Sequence, residues 1–331
     1  MKKIAFYVAH FDFRGTGNAI YNYADYNEHI LNNKSIIIYK YPSLYPHFDN
    51  KSIFENFKKR FDIYFFNSKE DLTNILTNCE INYVYFLCSG EEEHDIAKLC
   101  PPNIITLGHF VFDTKAISSF TKCAGISECI SSRSYIPYIY HIVNMQETND
   151  NMRKELNIPE DALVIGRIGG YESFDIEFVF DSIDYIIENT KNIYFIFAPS
   201  PIKYKRYNDT GNQDARIKYI DLITDSYNKR KFINTCDCMI HARKEGESFG
   251  ISVLEFIYCN KPVFTTFGKD NQHIINLGNN AIIYRNKEEL IQQITRFNKR
   301  DCDISLLKEF TPFNVMHKFN KIFLTGDCAS V

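Results

Sequence analysis

Short runs rich in Ile, Val, Phe and Tyr alternate with longer stretches of helical period along the whole chain, and the alternation starts twice. Such a pattern calls for parallel sheets covered by helices, an α/β architecture. The first series predicts strands over residues 4–9, 35–39, 62–66, 83–88 and 103–107, with helices over 18–31 and 69–77. Ile20, Tyr23, Ala24, Asn27 and Leu31 fall on one face of the first helix, which must dock on a sheet. The second series predicts a short helix over 152–156, strands over 163–167, 193–198, 218–222, 238–241, 262–266 and 281–284, and helices over 174–188, 287–297 and 312–323. Between the two lies V-N-M-Q-E-T-N-D, residues 143–150, polar and without period, which reads as a linker. The expected division is therefore 1–145 and 146–311, two α/β domains with a cleft between them, and a last helix in 312–331 crossing back to the first.

Composition narrows the function. With 38 Lys plus Arg against 41 Asp plus Glu the net charge is −3, so nucleic acid is not an expected partner. No apolar run approaches the roughly 18 residues a membrane helix needs. The start, M-K-K-I-A-F-Y-V-A-H-F-D-F, reads as a first strand rather than a signal peptide. Ten Cys without paired C-x-x-C spacing argue against zinc and for reduced thiols, hence a cytoplasmic protein, with peripheral membrane association left open. Cys328-Ala329-Ser330-Val331 lacks the two aliphatic residues of a prenylation signal. Lys58-Lys59-Arg60 and Lys229-Arg230-Lys231 read as solvated helix faces.

The stretch E-S-F-G-I-S-V-L-E, Glu247 to Glu255, carries the chemistry. It follows the strand C-M-I-H-A and opens a helix that is apolar on nearly every side, so that helix is expected to be buried. Glu255 is the helix's single charge, and a carboxylate there requires a partner: a ligand diol, or a structural Arg or Lys. Glu247 and Ser248 precede the helix, beside the backbone N–H groups of Phe249, Gly250 and Ile251, where a helix N-terminus attracts phosphate. Gly250 would allow a ligand to approach the backbone closely.

Followed by N-K-P-V-F-T-T, this stretch resembles the E-x7-E signature of retaining glycosyltransferases with the GT-B fold, family 4. Ser248 and Asn260 stand where that family usually has Gly. The strand ending Gly166-Arg167, the loop Gly15-Thr16-Gly17 after the first strand, T-L-G-H ending in His109, and A-G-I-S-E-C-I over 124–130 are similar to further family segments. The resemblance implies two Rossmann-like domains facing across a cleft. It also implies transfer of a sugar from a UDP- or GDP-sugar to a sugar-containing acceptor, with retention and without a cofactor or metal. It gives the donor ribose to Glu255, the donor sugar to Glu247, the leaving diphosphate to Arg167, and a place beside the reacting sugar to His109. Gly15, Thr16, Gly17, Arg243, Ser248, Phe249, Gly250 and Ile251 complete the implied donor site. The acceptor falls to loops of the first half, such as 41–51 and 110–116.

One departure stands out. The family places a Lys a few residues after Gly-Arg, but here the run is R-I-G-G-Y-E-S-F-D. Arg243, then Lys205 or Arg206, are the replacements to consider. The missing Lys keeps a non-catalytic nucleotide-sugar binding module open, and a nucleotide-sugar 2-epimerase of the same fold is a further alternative. A dinucleotide-dependent dehydrogenase is disfavoured, because G-T-G-N-A-I has Ile20 where the third Gly or Ala is needed.

Overall fold

The computed structural model describes residues 1–12, 15–41, 49–201 and 214–326. The chain forms two compact units, Met1–Ile142 with Glu309–Val331, and Val143–Lys308.

The first unit holds β1 (Lys3–Val8), β2 (Lys34–Lys40), β3 (Ile63–Phe66), β4 (Tyr83–Cys88), β5 (Ile105–Phe110) and β6 (Lys122–Gly125) in one parallel sheet of order β3-β2-β1-β4-β5-β6. Three of its helices start where short polar side chains cap them. Asn50 accepts from the backbone N–H of Ser52 and Ile53 ahead of Lys51–Arg60, and Ser68 from that of Asp71 ahead of Lys69–Asn78. Pro312 opens the last helix, Pro312–Phe319, capped by Thr311. A wider turn, Asn320–Thr325, continues it. Phe319 stacks on Tyr23 with ring centroids 5.6 Å apart, and Phe323 O accepts from Lys122 Nζ at 2.9 Å.

The second unit repeats the plan. β7 (Leu163–Ile168), β8 (Ile193–Ala198), β9 (Ile217–Tyr219), β10 (Cys238–Ile240), β12 (Val263–Thr265) and β14 (Ala281–Ile283) form a parallel sheet of order β14-β12-β10-β7-β8-β9. β11 (Gly246–Glu247) and β13 (Asp270–Asn271) pair beside it. Successive strand residues face opposite layers. Ile165, Phe195, Phe197 and Ile240 pack with Val179 and Ile183 of Glu177–Asn189, whereas Val164, Ile196 and Met239 pack with Phe232 of Ser226–Thr235 and Phe256 of Ile251–Tyr258. Counted within its own sheet, each unit runs third, second, first, fourth, fifth, sixth.

Three local expectations change. Residues 152–156 form turns rather than a helix. There Arg153 donates to the carbonyls of Pro159 and Ala162 and to Asp237 Oδ2 at 2.9 Å, so a side chain organises the segment in place of a helical ladder. β6 adds a strand that runs from Lys122 into the start of the A-G-I-S segment. β5 starts later than expected and runs on to Phe110, which carries His109 into the sheet.

Candidate active site

In each sheet the first and fourth strands are neighbours while their connections leave in opposite directions. Open α/β sheets bind ligands at the carboxyl ends of such a pair. In the second unit the pair is β7 and β10, and both run directly into polar residues.

Arg167 lies near the end of β7 and is 2% exposed. Its Nη1 donates to Pro199 O at 3.1 Å, and its Nη2 to Ser173 Oγ at 2.8 Å and to Gly170 O. These acceptors are all neutral. Among the described residues no carboxylate lies within ion-pair distance of this guanidinium. Burial pulls its pKa down to about 10, while the charge of Glu247 pulls the other way. A buried cation held by dipoles alone is disfavoured, and an anion arriving there would relieve it.

β10 is followed by His241, Ala242 and Arg243. Glu247, on β11, faces two of them: Arg243 Nη1 donates to its Oε2 at 2.9 Å, and His241 Nε2 lies 3.4 Å from its Oε1. Burial raises the Glu247 pKa, but His241 and Arg243 outweigh it and hold the carboxyl below its ordinary range. Arg243 keeps 32% of its side chain exposed, so one cation of the site meets solvent. Behind His241 stand Thr265, at the end of β12, and His273, on the short helix Gln272–Leu277. Both are fully buried. Sequence reasoning missed His241, Thr265 and His273. The available signal was the run H-A-R, in which only the Arg drew attention.

The loop into Ile251–Tyr258 is held from below. Asn276 Nδ2 donates to Phe249 O at 2.8 Å, and Ser248 and Phe249 are buried. Gly250 caps the helix at φ 87, and a Cβ there would meet His273 Cβ at 2.8 Å. Its conformation and the His273 Cβ beneath it already demand glycine, whatever approaches from the other side. Glu255 is buried as expected and pairs with Lys229, Nζ to Oε1 2.8 Å. Lys229-Arg230-Lys231 is thus no solvated face: Lys231 pairs with Glu155, and Arg230 lies over the Tyr258 ring. Lys58 and Lys59 are exposed, but Arg60 binds Glu28 at 2.7 Å. Lys205, Arg206 and residues 42–48 of the expected acceptor loop lie outside the described residues.

The corresponding crevice of the first unit is different. Gly15, Thr16 and Gly17 form the first turn of Gly15–His29, and Thr16 and Gly17 line a pocket with Tyr7, His10, Ser89 and Glu93. Glu93 is buried and accepts from Ser89 N, Ser89 Oγ and Gly90 N, while Tyr7 O–H donates to Glu92 Oε1 at 2.8 Å. Glu93 in this pocket and the Asp12 carboxylate against Gly17 repel phosphate, which counts against a diphosphate on Gly15-Thr16-Gly17.

His109, implied beside the reacting sugar, is enclosed in the core of the first unit. It has no exposed surface; Nε2–H donates to Ile139 O at 2.8 Å and Nδ1 accepts from Tyr85 O–H at 2.8 Å. Burial pushes its pKa down to about 4. Because β5 continues past Leu107, the ring turns into the core among Tyr23, Tyr85 and Phe323, and both nitrogens serve the fold.

Similar proteins share the whole architecture. Anabaena HepE, solved with UDP-glucose, superposes with a TM-score of 0.67 at 13% identity, over 98% of this chain and 96% of that one. The lipopolysaccharide outer core galactosyltransferase WaaB gives 0.66 at 12%, over 97% and 99%. The fold is GT-B. A UDP-N-acetylglucosamine 2-epimerase structure from Listeria monocytogenes, described as putative, gives 0.59 at 10%, over 95% and 90%. Residues 181–309, all but the last in the second unit, match the family model for glycosyl transferases group 1, a span that includes Arg243, Glu247 and Glu255. No curated protein matches the chain. Among the described residues no helix is long and apolar enough to cross a membrane.

Proposed function

We propose that this chain transfers a sugar from a nucleotide diphosphate sugar to an acceptor, with retention at the anomeric carbon and without a divalent ion. The observation that carries the reading is Arg167, a buried cation among neutral acceptors at the switch point of the second sheet. Charge grows on the diphosphate as the glycosidic bond breaks, so Arg167 stabilises the transition state more than the bound donor. Arg243 is the second cation; it reaches the phosphates by leaving Glu247, which then accepts from donor-sugar hydroxyls. Glu255 accepts from the ribose, with Lys229 neutralising the carboxylate in the empty site. The group 1 match over this unit and the UDP-glucose in HepE support a UDP-linked donor.

A thermal-shift screen of nucleotide sugars in EDTA tests the reading, because a ligand that binds the folded state raises the melting temperature by mass action. UDP- or GDP-sugars should raise it and turn over with an acceptor. Binding without product on any acceptor would favour a binding module, while release of an epimerised sugar would favour the epimerase that the Listeria neighbour suggests. A response to no nucleotide sugar would overturn the reading.

A further inference from the structure

His241, Thr265 and His273 form a buried chain that ends on Glu247. His241 Nδ1 lies 3.0 Å from Thr265 Oγ1, and Thr265 Oγ1 lies 3.1 Å from His273 Nε2. His273 Nε2 is also 3.3 Å from Thr266 O. The two rings sit 4.7 Å apart, centroid to centroid. His241 is 4% exposed, Thr265 and His273 not at all.

The bonds fix where the protons are. A carbonyl only accepts, so His273 carries its proton on Nε2 and shares it between Thr266 O and Thr265 Oγ1. Thr265 then gives its own O–H to His241 Nδ1. A ring that accepts at Nδ1 holds its proton at Nε2, and that proton points at Glu247 Oε1. Each donor along the chain faces the carboxylate. If His241 also carried a proton on Nδ1, Thr265 would receive two donors and its hydroxyl hydrogen would be buried without an acceptor, a cost of about tenfold or more in population.

We infer that the His273–Thr265–His241 chain positions Glu247, locking His241 in its Nε2–H form so that one carboxylate oxygen stays anchored while the other turns from Arg243 to the donor sugar. These are positioning residues; none of the three touches the ligand. The inference rests on the donor-sugar role proposed for Glu247, and it makes the chain a determinant of sugar binding rather than of nucleotide binding.

Thr265→Val keeps the shape of the side chain and removes the hydroxyl; Thr265→Ser keeps the hydroxyl. By calorimetry, Thr265→Val should weaken the nucleotide sugar found in the thermal screen about tenfold and leave the bare nucleoside diphosphate within about twofold. Thr265→Ser should restore the sugar-dependent part. Equal weakening of both ligands, or of neither, would overturn the inference while leaving the transferase reading in place. Imidazole 15N spectra of the ligand-free protein give a readout that needs no donor. The wild type should show His241 as the neutral Nε2–H tautomer, with that preference lost in Thr265→Val and kept in Thr265→Ser. A wild-type His241 protonated on Nδ1 would refute the chain whichever ligand binds.

Discussion

Among the described residues, the polar side chains at the switch point of the first sheet are Tyr7, His10, Thr16, Ser89 and Glu93; at that of the second they include Arg167, His241, Arg243 and Glu247. The strand order is the same in both. The fold therefore supplies two equivalent crevices, and the residues just beyond the strand ends decide what each accepts. The second places two arginines around a single carboxylate. The first places Glu93 on backbone and hydroxyl donors and Glu92 on a tyrosine, and among the described residues no arginine or lysine lines the pocket. A diphosphate suits the second and is repelled by the first; a neutral polyol is acceptable to the first, where carboxylates receive its hydroxyls.

The largest effect should come from the cation without a carboxylate. Arg167→Ala is expected to lower kcat by about 100-fold or more and to lower the apo melting temperature, because Gly170 and Pro199 carbonyls lose their donor. Glu93→Gln, at the equivalent place in the first unit, should leave UDP affinity within about twofold. Steady-state kinetics and calorimetry on the pair would break the comparison if the two variants behaved alike.

Within the second unit the two glutamates should separate. Glu255→Ala is expected to weaken nucleoside diphosphate binding about tenfold. It should also destabilise the empty protein, since Lys229 loses its 2.8 Å partner. Glu247→Ala should weaken the nucleotide sugar more than the bare nucleotide. Calorimetry with both ligands on both variants reads this, and equal losses would dissolve the division of roles.

The fold was legible because its signal is periodic. The start of the second series, the buried helix after Gly250 and the short central strands follow from runs of Ile, Val and Phe that only one period fits. Where a side chain ends up was harder to read. His109 was expected just beyond a strand ending at Leu107; β5 runs three residues further, to Phe110, and a residue expected past the strand tip becomes part of the core. Glu255 was expected to need a partner, but whether ligand or lysine could not be read from spacing, because Lys229 comes from a different helix. Thr265 and His273 carry no local signal; they matter only because two strand ends and a short helix converge behind Glu247.

If His109 serves the core, His109→Asn should cost about 1–3 kcal/mol of stability and leave kcat nearly unchanged, as read by urea melts and turnover. A large loss of kcat at intact stability would restore the role the sequence suggested.

A further effect is on pH. Burial holds His109 and His273 down at about 4 and His141 down at about 3, against an ordinary 6.5. From pH 6.5 downward the unfolded chain takes up protons that these folded rings refuse. Stability therefore falls as pH falls and stops falling on their account near pH 3. Two of the three lie in the first unit, so calorimetric scans between pH 6.5 and 5, above the carboxylate range, should show that unit losing more. A transition temperature flat over that window would contradict the sign.

The central claim is that nucleotide binds at the cationic switch point and not at the acidic one. Hydrogen–deuterium exchange with and without saturating UDP tests it most directly. The account predicts slowed exchange in peptides covering residues 167–173 and 243–254, with residues 9–12, 15–20 and 87–93 unchanged. Protection confined to the first-unit peptides, or no protection with either UDP or GDP, would contradict it.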